Sequence, residues 1–476
     1  MGLSLYDTPR RAVAEFVSLV PGAVRMYTCG PTVYSPVHVG NLRAYVVADL
    51  LRRVLEDLGL AVRHVVNITD VGHLTLDDID EGEDKLEVAS RRERLDAWQI
   101  AEKYTRVFLD ASRDLGLLSP LVHPRATDHI NDMIELIVEL LDRGFAYATP
   151  DGNVYYDVSR FPSYGTLSGN RVDDLVAGAR VELARDKRHP ADFALWKRDP
   201  HHQMQWDSPW GRGFPGWHIE CSAMARTHLG DQLDIHTGGE DNAFPHHECE
   251  IAQSEPVTGR PLAKWWVHVR HLFVDGRKMS KSAGTLHTLD DVRDRGFTAR
   301  ELRYLLLATH YRTNLNFTWD GLAAARDALA SLDATLARIR VVPTHSDRPE
   351  LLGAADKAMR HLVDGLHDDL NVSVALAGLH RLRGVLARNP DLSPGEHHTV
   401  AVYLERIDGL LGLQLHAALQ ATNVGADLVE LQQLIQQRED ARKAGNYDMA
   451  DAIREKARDR GFTIEDTPTG PRWHRA

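Results

Sequence analysis

The sequence predicts an α/β protein, with a parallel sheet and helices in its N-terminal part and a mainly helical C-terminal part. Two apolar, β-rich segments at residues 24–28 and 61–68 flank a stretch in which apolar residues recur at helical spacing from Val47 to Leu58. A strand, a helix and a strand within about 45 residues make a right-handed crossover, so the two strands are expected to be parallel. From about residue 300 the chain has the pattern of amphipathic helices.

Composition places the chain among ordinary globular proteins and excludes disordered, collagen-like and low-complexity proteins. It has 476 residues, of which 43% are hydrophobic and 26% charged. The net charge of −12 argues against a general nucleic-acid coat but leaves room for a local basic face. No apolar run is long enough for a transmembrane helix, and the N-terminus does not have the pattern of a signal peptide. With three cysteines a disulfide framework is excluded, and a cytoplasmic protein without a membrane partner is expected.

Between the first crossover and the C-terminal helices, the predicted elements change in type. The acidic stretch 77–84 is predicted to be a solvated loop or the start of a helix. Residues 91–145 have a helical pattern, and the turn-rich residues 150–200 look like an insertion between two halves of the sheet domain. Strand signals return at 216–275. The C-terminal part is predicted to contain a long helix marked by Leu322, Leu329, Leu332, Leu336 and Ile339, a linker at 343–349, helices at about 351–388 and 396–414, and a joint at 421–425.

A first candidate site lies where the first helix begins, in His38-Val39-Gly40-Asn41. Backbone N–H groups and the helix dipole favour phosphate at a helix start that follows a strand, and Gly40 lets a nucleotide approach the backbone. Taken alone, the tetrapeptide is a weak signal, because a histidine at a helix cap is more often structural. Ligands of a parallel sheet bind beyond the carboxyl ends of its strands, where Cys29 and the loop 30–37 are expected.

A second candidate site is the run Gly276-Arg277-Lys278-Met279-Ser280-Lys281-Ser282-Ala283-Gly284. Three cations, two hydroxyls and a glycine at each end favour an anion-binding loop, because lysine ammoniums can follow phosphates through a reaction. The alternative is a basic surface turn. A run this specific has a low chance of arising at random, so the two motifs together predict phosphate chemistry.

A metal site is a third possibility. His246 and Glu250 are four residues apart, so on a helix their side chains share one face. Cys221 belongs to another predicted helix, and Cys29 ends a strand at the ligand edge of the sheet. Two thiolates, an imidazole and a carboxylate can complete a tetrahedral shell. Without a CxxC pair, however, the spacing alone leaves open that these are buried cysteines and a helix-surface histidine.

The two motifs resemble the two signatures of class I aminoacyl-tRNA synthetases, and the flanking sequence resembles the cysteinyl-tRNA synthetase family. The resemblance covers essentially the whole chain. Its segments are 27–34 (YTCGPTVY), 67–70 (NITD), 215–224 (PGWHIECSAM), 244–248 (FPHHE), 310–312 (HYR) and the tail 436–473. It implies a Rossmann-type parallel sheet with an inserted connective domain, followed by an α-helical bundle and a small C-terminal anticodon-binding domain.

The domains that this resemblance implies follow one another along the chain. The expected order is the first half of the catalytic domain (1–120), a connective domain for the acceptor end (121–200), the second half of the catalytic domain (201–270), the signature loop with a stem-contact region (271–345), the helical bundle (346–420) and the anticodon-binding domain (421–476).

The resemblance also implies an activity and its ligands. ATP and L-cysteine would form cysteinyl-adenylate, which passes to tRNA(Cys), with Mg²⁺ accompanying ATP and one zinc selecting the cysteine thiolate. A monomer is expected. Cys249 lies outside the family's ligand set and is interpreted as a packing residue. The implied zinc ligands are Cys29, Cys221, His246 and Glu250.

Further roles follow from the same resemblance. His38, Lys278 and Lys281 would be catalytic, and Gly40, Asn41, Met279, Ser280 and Ser282 would contact ATP with them. Trp217 and Thr69 would border the cysteine pocket, Asp241 would contact the amino group, and His236 would support Asp241. The chain departs from the family pattern in two places: Asn41 replaces the usual second histidine of the first signature, and residues 71–75 (VGHLT) and the acidic stretch replace the common Asp-Asp-Lys continuation.

The C-terminal tail is relatively basic. Residues 438–476 contain nine Lys or Arg and eight Asp or Glu, a net charge of +1 in a chain of −12. Charge alone does not assign an RNA contact, but the resemblance implies an anticodon-binding tail. Trp473 could stack on an unpaired base or anchor a helix.

Two other functions are weighed against the synthetase. A related ligase that transfers cysteine to an aminosugar would lack the C-terminal module. A non-enzymatic tRNA-binding protein would be expected to lose a signature lysine or a zinc ligand, all of which this sequence retains.

Overall fold

The structure is a computed structural model that describes residues 2–76, 81–170, 187–279, 285–416, 419, 434–459, 462–467 and 470–475. Three predicted ATP-contacting residues, Ser280, Lys281 and Ser282, lie outside these ranges, as do residues 77–80 of the acidic stretch and the predicted joint at 421–425. Within the described ranges, no helix has both the length and the apolar character needed to cross a membrane.

The strands are, in chain order, β1 (Ser4–Asp7), β2 (Ala12–Glu15), β3 (Ala23–Thr28), β4 (Ala61–Val66), β5 (Leu74–Leu76), β6 (Glu81–Asp84), β7 (Ala146–Ala148), β8 (Val154–Tyr156), β9 (Phe193–Lys197), β10 (Phe214–Pro215), β11 (Leu233–Gly239), β12 (Ala263–Val269), β13 (Leu272–Val274), β14 (Arg277–Lys278), β15 (Leu315–Phe317), β16 (Arg340–Val341), β17 (Asp391–Leu392), β18 (Phe462–Thr467) and β19 (Gly470–Arg475).

The helices are α1 (Val39–Asp57), α2 (Lys85–Glu93), α3 (Ala97–Asp114), α4 (Ile130–Asp142), α5 (Trp217–Leu229), α6 (His246–Thr258), α7 (Leu289–Asp294), α8 (Ala299–Leu307), α9 (Trp319–Leu336), α10 (Pro349–His367), α11 (Val372–Arg388), α12 (Pro394–Leu411) and α13 (Tyr447–Arg458). Residues 434–443 are also helical.

The central sheet is parallel and has the strand order β12-β11-β3-β4. The predicted first crossover is confirmed, because β3, α1 and β4 follow one another and β3 pairs with β4 in parallel from Ala23 opposite Ala61 to Thr28 opposite Val66. The apolar positions of α1 are buried, including Leu51, Val54 and Leu55, which are inaccessible to solvent. This burial holds the carboxyl ends of β3 and β11 side by side.

The predicted insertion between the halves of this sheet contains a second, antiparallel sheet. Its strands have the order β10-β9-β8-β7, and its core contains Tyr156 and Phe193, whose rings stack 4.9 Å apart. Upstream of it, the helical pattern at 91–145 belongs to the end of α2 and to α3 and α4.

The chain forms two compact units. One contains residues 1–329, 358–379 and 409–413, and the other contains 330–357, 380–408 and 414–476. The predicted helical stretch 351–388 is two helices, α10 and α11. The break falls at Asp369 and Leu370, which have φ angles of 55° and 53°. Asp369 accepts hydrogen bonds from Arg312 Nε at 2.6 Å and Tyr311 Oη at 2.5 Å, so tertiary contacts fix this turn.

Candidate active site and metal centre

The candidate site is built on the carboxyl edge of the central sheet. Thr28 ends β3, and its hydroxyl lies 2.7 Å from the Thr237 hydroxyl of β11 and 2.8 Å from Nε2 of His64 on β4. The backbone N–H of Cys29 donates to the carbonyl of Thr237 at 3.3 Å. Cys29 is therefore held at the point where neighbouring parallel strands end, as the sequence predicts.

The loop after Cys29 packs against the segment that follows β4. Gly30 donates its N–H to Asn67 Oδ1 at 2.7 Å, and a Cβ atom at position 30 would lie 1.6 Å from the Asn67 carbonyl oxygen. Only glycine permits this approach. Asn67 also donates to the Thr69 hydroxyl at 3.1 Å, and Thr32 and Thr69 form a parallel bridge. Thr69 is thus placed beside Cys29 on the same wall.

Four metal-ligating side chains meet at this edge. Helix α5 carries Cys221, and helix α6 carries His246 and Glu250 one turn apart, which confirms the predicted helical positions. Together with Cys29 they place one ligand atom each within 4.8 Å of all the others, and all four residues are buried. The two sulfur atoms are 3.9 Å apart, Cys29 Sγ is 3.5 Å from Glu250 Oε1, and His246 Nε2 is 3.2 Å from the same oxygen.

These separations suit a tetrahedral metal ion. With zinc–sulfur bonds of about 2.3 Å and zinc–nitrogen or zinc–oxygen bonds of about 2.0–2.1 Å, the edges of a tetrahedron are about 3.8 Å (S–S), 3.5 Å (S–O) and 3.3 Å (N–O). The three measured distances lie close to these values. Burial, with Cys221 and Glu250 nearby, raises the pKa of the Cys29 thiol, and a bound cation would favour the thiolate that a metal ligand must become. The residues therefore could hold a metal.

Each of three ligand candidates touches a further histidine. His236 Nε2 lies 2.9 Å from Glu250 Oε2, His218 Nδ1 lies 2.9 Å from His246 Nδ1, and His247 Nε2 lies 3.3 Å from Cys29 Sγ. Burial lowers the pKa of His246 and of His218 to about 3, so both rings are neutral. Such contacts fix the orientation of metal ligands.

The ring of His236 contacts Glu250 through Nε2, and its expected support of Asp241 stays a prediction. A second set of potential donors, Cys29, His236, His247 and Glu250, also has its ligand atoms within 4.8 Å of one another. The two sets share Cys29 and Glu250. The sequence does not predict the contacts of His218 and His247, since their roles depend on which faces of α5 and α6 meet, and sequence spacing does not encode that.

An open cavity of about 430 Å³ is lined at one end by three of the candidate metal ligands, Cys29, Cys221 and His246. Glu250 and His236 lie outside its lining, and they contact the cluster from within the protein. The cavity is bordered by most of the residues that the sequence predicts, namely Cys29, His38, Gly40, Asn41, Thr69, Trp217, Cys221, Asp241, His246, Lys278 and Met279.

His38 and the start of α1 form one end of the cavity. The Asn41 N–H donates to His38 Nδ1 at 3.3 Å, and the His38 N–H donates to Asn41 Oδ1 at 3.4 Å, a reciprocal helix cap. Since Nδ1 accepts, the neutral imidazole carries its proton on Nε2 and can donate to an anion. Asn41, which replaces the family's usual histidine, therefore closes the helix start.

The two sequence motifs meet at this end. A Cβ atom on Gly40 would lie 2.2 Å from the terminal methyl group of Met279. The Val39 N–H donates to the His287 carbonyl at 2.8 Å, so the chain after the second motif pairs with the start of α1. Lys278 on β14 is exposed and borders the cavity.

Cys249 lies away from the cavity. It is fully buried in the hydrophobic core, and its sulfur is 3.3 Å from the Tyr164 hydroxyl. It belongs to none of the three sets of potential metal donors among the described residues. Its surroundings agree with the interpretation of Cys249 as a packing residue.

Two family models match the chain. The model described as "tRNA synthetases class I (C) catalytic domain" matches residues 15–327, and the "Cysteinyl-tRNA ligase anticodon binding domain" matches residues 429–473.

Relatives match over nearly their whole length. A cysteine--tRNA ligase of Thermus thermophilus is 44% identical, with 99% of each chain covered, and that of Symbiobacterium thermophilum is 41% identical with full coverage of both. Cysteine--tRNA ligase 1 of Burkholderia lata is 46% identical over 99% of this chain and 97% of its own. A methionyl-tRNA synthetase structure from Mycobacterium tuberculosis shares the fold alone, with a TM-score of 0.61 at 14% identity over 83% of this chain and 93% of that one. The chain thus belongs to the cysteine–tRNA ligase family of class I aminoacyl-tRNA synthetases.

Proposed function

We propose that this protein joins L-cysteine to tRNA(Cys) in two steps, through cysteinyl-adenylate, and that zinc selects the cysteine thiolate. The observation that carries the proposal is the quartet Cys29, Cys221, His246 and Glu250 at the floor of a cavity whose other end is formed by His38 and Lys278. A thiol-selecting metal and a phosphate-binding helix start would then hold the two reactants, cysteine and ATP, in one cavity. The family relationship supports the same reaction.

Selection of cysteine against serine is the task that a metal site would serve. The two amino acids differ by one atom, and a shaped apolar pocket rejects a hydroxyl isostere by only about a hundredfold. When bound, zinc would prefer thiolate to hydroxyl and lower the pKa of the substrate thiol. In this chain, His236 would hold the Glu250 carboxylate and His218 would hold the His246 ring, so that the donor set keeps its shape before substrate arrives.

The adenylation step would take place at the other end of the cavity. There the cysteine carboxylate attacks the α-phosphorus of ATP and pyrophosphate leaves, with Mg²⁺ bound to the ATP. His38 would donate from Nε2 to the developing negative charge, and Lys278 and Lys281 would neutralise it. Gly40, Asn41, Met279, Ser280 and Ser282 are the further ATP contacts that we propose.

The amino-acid pocket would lie between these ends. Trp217, whose ring centre is 4.7 Å from that of His246, would cover the side chain, and Thr69, which lines the same cavity, would border it. Asp241 borders the same cavity and would accept a hydrogen bond from the substrate ammonium.

Contacts with tRNA would come from other parts of the chain. We assign the acceptor end to the insertion at 121–200, the stem to 271–345 and the anticodon to 421–476, with the helices of 346–420 between them. The match of the anticodon-binding family model to residues 429–473 supports the last assignment. We further propose that the protein is a monomer, and that it is located in the cytoplasm, a compartment that the three free cysteines favour.

ATP–pyrophosphate exchange tests the proposal directly. Exchange is expected with L-cysteine and to be far weaker with L-serine, and tRNA(Cys) should then be charged by the same preparation. Equal exchange with both amino acids would contradict metal selection of the thiol. Exchange with cysteine but transfer to an aminosugar amine and not to tRNA would support the rival ligase instead.

A further inference from the structure

Lys85 is a cationic side chain to which the proposed function above assigns no role. It is the first residue of α2 and follows the acidic stretch in which the chain departs from the family pattern. Its side chain is half-buried and borders the same cavity as Cys29, Cys221 and His246. Sequence spacing offers no reason to place it there, because 77–84 is predicted to be a solvated loop or a helix start.

The ammonium group of Lys85 lies against two aromatic rings of the cavity. Its Nζ atom is 5.4 Å from the ring centre of Trp217 and 5.8 Å from that of Tyr34. Both distances are within the range of cation–π attraction, which stabilises the charge in the cavity. The stem of the lysine can pack on the same rings while the charged end stays in the cavity.

The neighbours of Lys85 fix where its backbone begins. The Lys85 N–H donates to the His73 carbonyl at 2.8 Å. Asp84, which precedes it, caps α2 by accepting the Glu87 N–H at 2.7 Å and contacts His202 Nε2 at 3.2 Å. Asp84 and His202 are both buried. The ammonium is therefore carried by an anchored helix start.

Trp217 stands between Lys85 and the candidate metal ligands. Its ring centre is 4.7 Å from that of His246 and 5.4 Å from Lys85 Nζ, so one ring contacts both residues. Lys278, in contrast, borders the part of the cavity where Met279 contacts Gly40. The two lysines therefore border the cavity beside different neighbours, Lys278 next to Met279 and the start of α1, and Lys85 next to Trp217.

We infer that Lys85 receives the carboxylate of the amino-acid substrate while its thiol faces the metal site. The inference rests on the proposed function. A free carboxylate is the group of cysteine that an ammonium binds by a charge-assisted hydrogen bond, and Asp241 is available for the amino group. Lys85 would orient the carboxylate for attack on the α-phosphorus, so it is a substrate-binding residue.

Paired ligands separate this role from a structural one. Cysteamine keeps the thiol and the ammonium of cysteine but lacks the carboxylate. Calorimetric titration of the zinc-loaded, full-length protein without ATP should therefore show that Lys85→Met weakens cysteine binding by about tenfold or more and leaves cysteamine binding unchanged. Lys85→Arg should restore most of the cysteine affinity. Lys103→Met, at an exposed lysine bonded to Glu93, is the matched control and should change neither ligand.

The other outcomes overturn the inference in distinguishable ways. An equal loss for cysteine and cysteamine in Lys85→Met would show that Lys85 shapes the pocket without holding the carboxylate, as would a lack of rescue by arginine. No loss for either ligand would remove Lys85 from the amino-acid site. If the parent protein, with about one zinc per chain, binds neither thiol, the proposed function itself fails and the inference falls with it.

Discussion

The candidate metal ligands are each oriented by hydrogen bonds or contacts with neighbouring groups. Cys29 is fixed by a backbone hydrogen bond to β11, and Glu250 uses one oxygen toward Cys29 and His246 and the other toward His236. A carboxylate held at both oxygens has little freedom to rotate, so its ligand atom is preorganised. The site consequently depends on residues that would never touch the ion.

Substitution of one ligand candidate should remove the metal. We expect the parent protein to bind about one zinc per chain and Cys221→Ser to bind far less, because a neutral hydroxyl is a poor substitute for thiolate. Elemental analysis of purified protein measures this. Cys249→Ser is the matched control: Cys249 is equally buried but contacts Tyr164, so zinc content should not change. Full zinc occupancy in Cys221→Ser would contradict the assignment.

At the scale of elements, the β13–β14 hairpin presents the second motif. Neighbouring strand residues point to opposite faces, and of Arg277 and Lys278 only the second borders the cavity. We predict that Lys278→Ala or Lys281→Ala lowers the rate of pyrophosphate exchange about a hundredfold with little effect on cysteine affinity, since a transition-state cation is lost. Arg277→Ala should stay within a few-fold of the parent. A parallel loss of cysteine binding in calorimetry would point to a folding defect.

Another element-scale feature joins two helix starts. Glu396 near the start of α12 accepts from Ser393 N at 2.9 Å and from Arg348 Nη2 at 2.8 Å, and Arg348 directly precedes α10. The Arg348 guanidinium holds the pKa of Glu396 at about 2, below its usual 4.5. The carboxylate contribution to stability is therefore complete above pH 4.5 and is lost as the pH falls through 2.

Glu396→Gln should lower the free energy of unfolding by about 1–3 kcal/mol at pH 7, because a charge-assisted bond and a helix cap are weakened. Urea unfolding followed by circular dichroism measures the difference, which should shrink as the pH is lowered below 4.5. Glu405→Gln, at an exposed position of the same helix, is the control and should have little effect. A difference that grows on acidification would contradict a lowered pKa of Glu396 in the folded protein.

At the scale of the whole molecule, local pattern predicts elements better than it predicts contacts. The β3–α1–β4 crossover and the helices carrying Cys221 and His246 follow from spacing, since a buried face imposes its period on the sequence. The contacts of His236 with Glu250 and of His247 with Cys29 depend on how α6 meets the sheet over long sequence separations. The position of Lys85 cannot be predicted from the sequence for the same reason, because nothing in an acidic stretch indicates that the residue after it borders the cavity.

The C-terminal tail has an apolar core of its own. Leu434, Ile453, Ala457 and Ile464 form a small buried cluster, and β18 pairs with β19 so that Ile464 lies opposite Trp473 in register. Every described residue that borders the cavity precedes position 280. The described lining of the cavity therefore does not include the tail, and a site on a parallel sheet does not require it.

Truncation after Gln420 should consequently leave ATP–pyrophosphate exchange nearly unchanged while reducing the efficiency of tRNA charging at least tenfold, a loss of about 1.4 kcal/mol or more. Lysine and arginine contacts to phosphate release counterions, so added salt should weaken tRNA binding by the parent protein. The difference in charging between the truncated protein and the parent should therefore be largest at low salt and become smaller as the salt concentration rises. Charging by the truncated protein at the parental rate would contradict the anticodon assignment and favour the aminosugar ligase. Loss of exchange together with charging would show that the tail supports the fold of the catalytic part, contrary to the independence argued from its separate core.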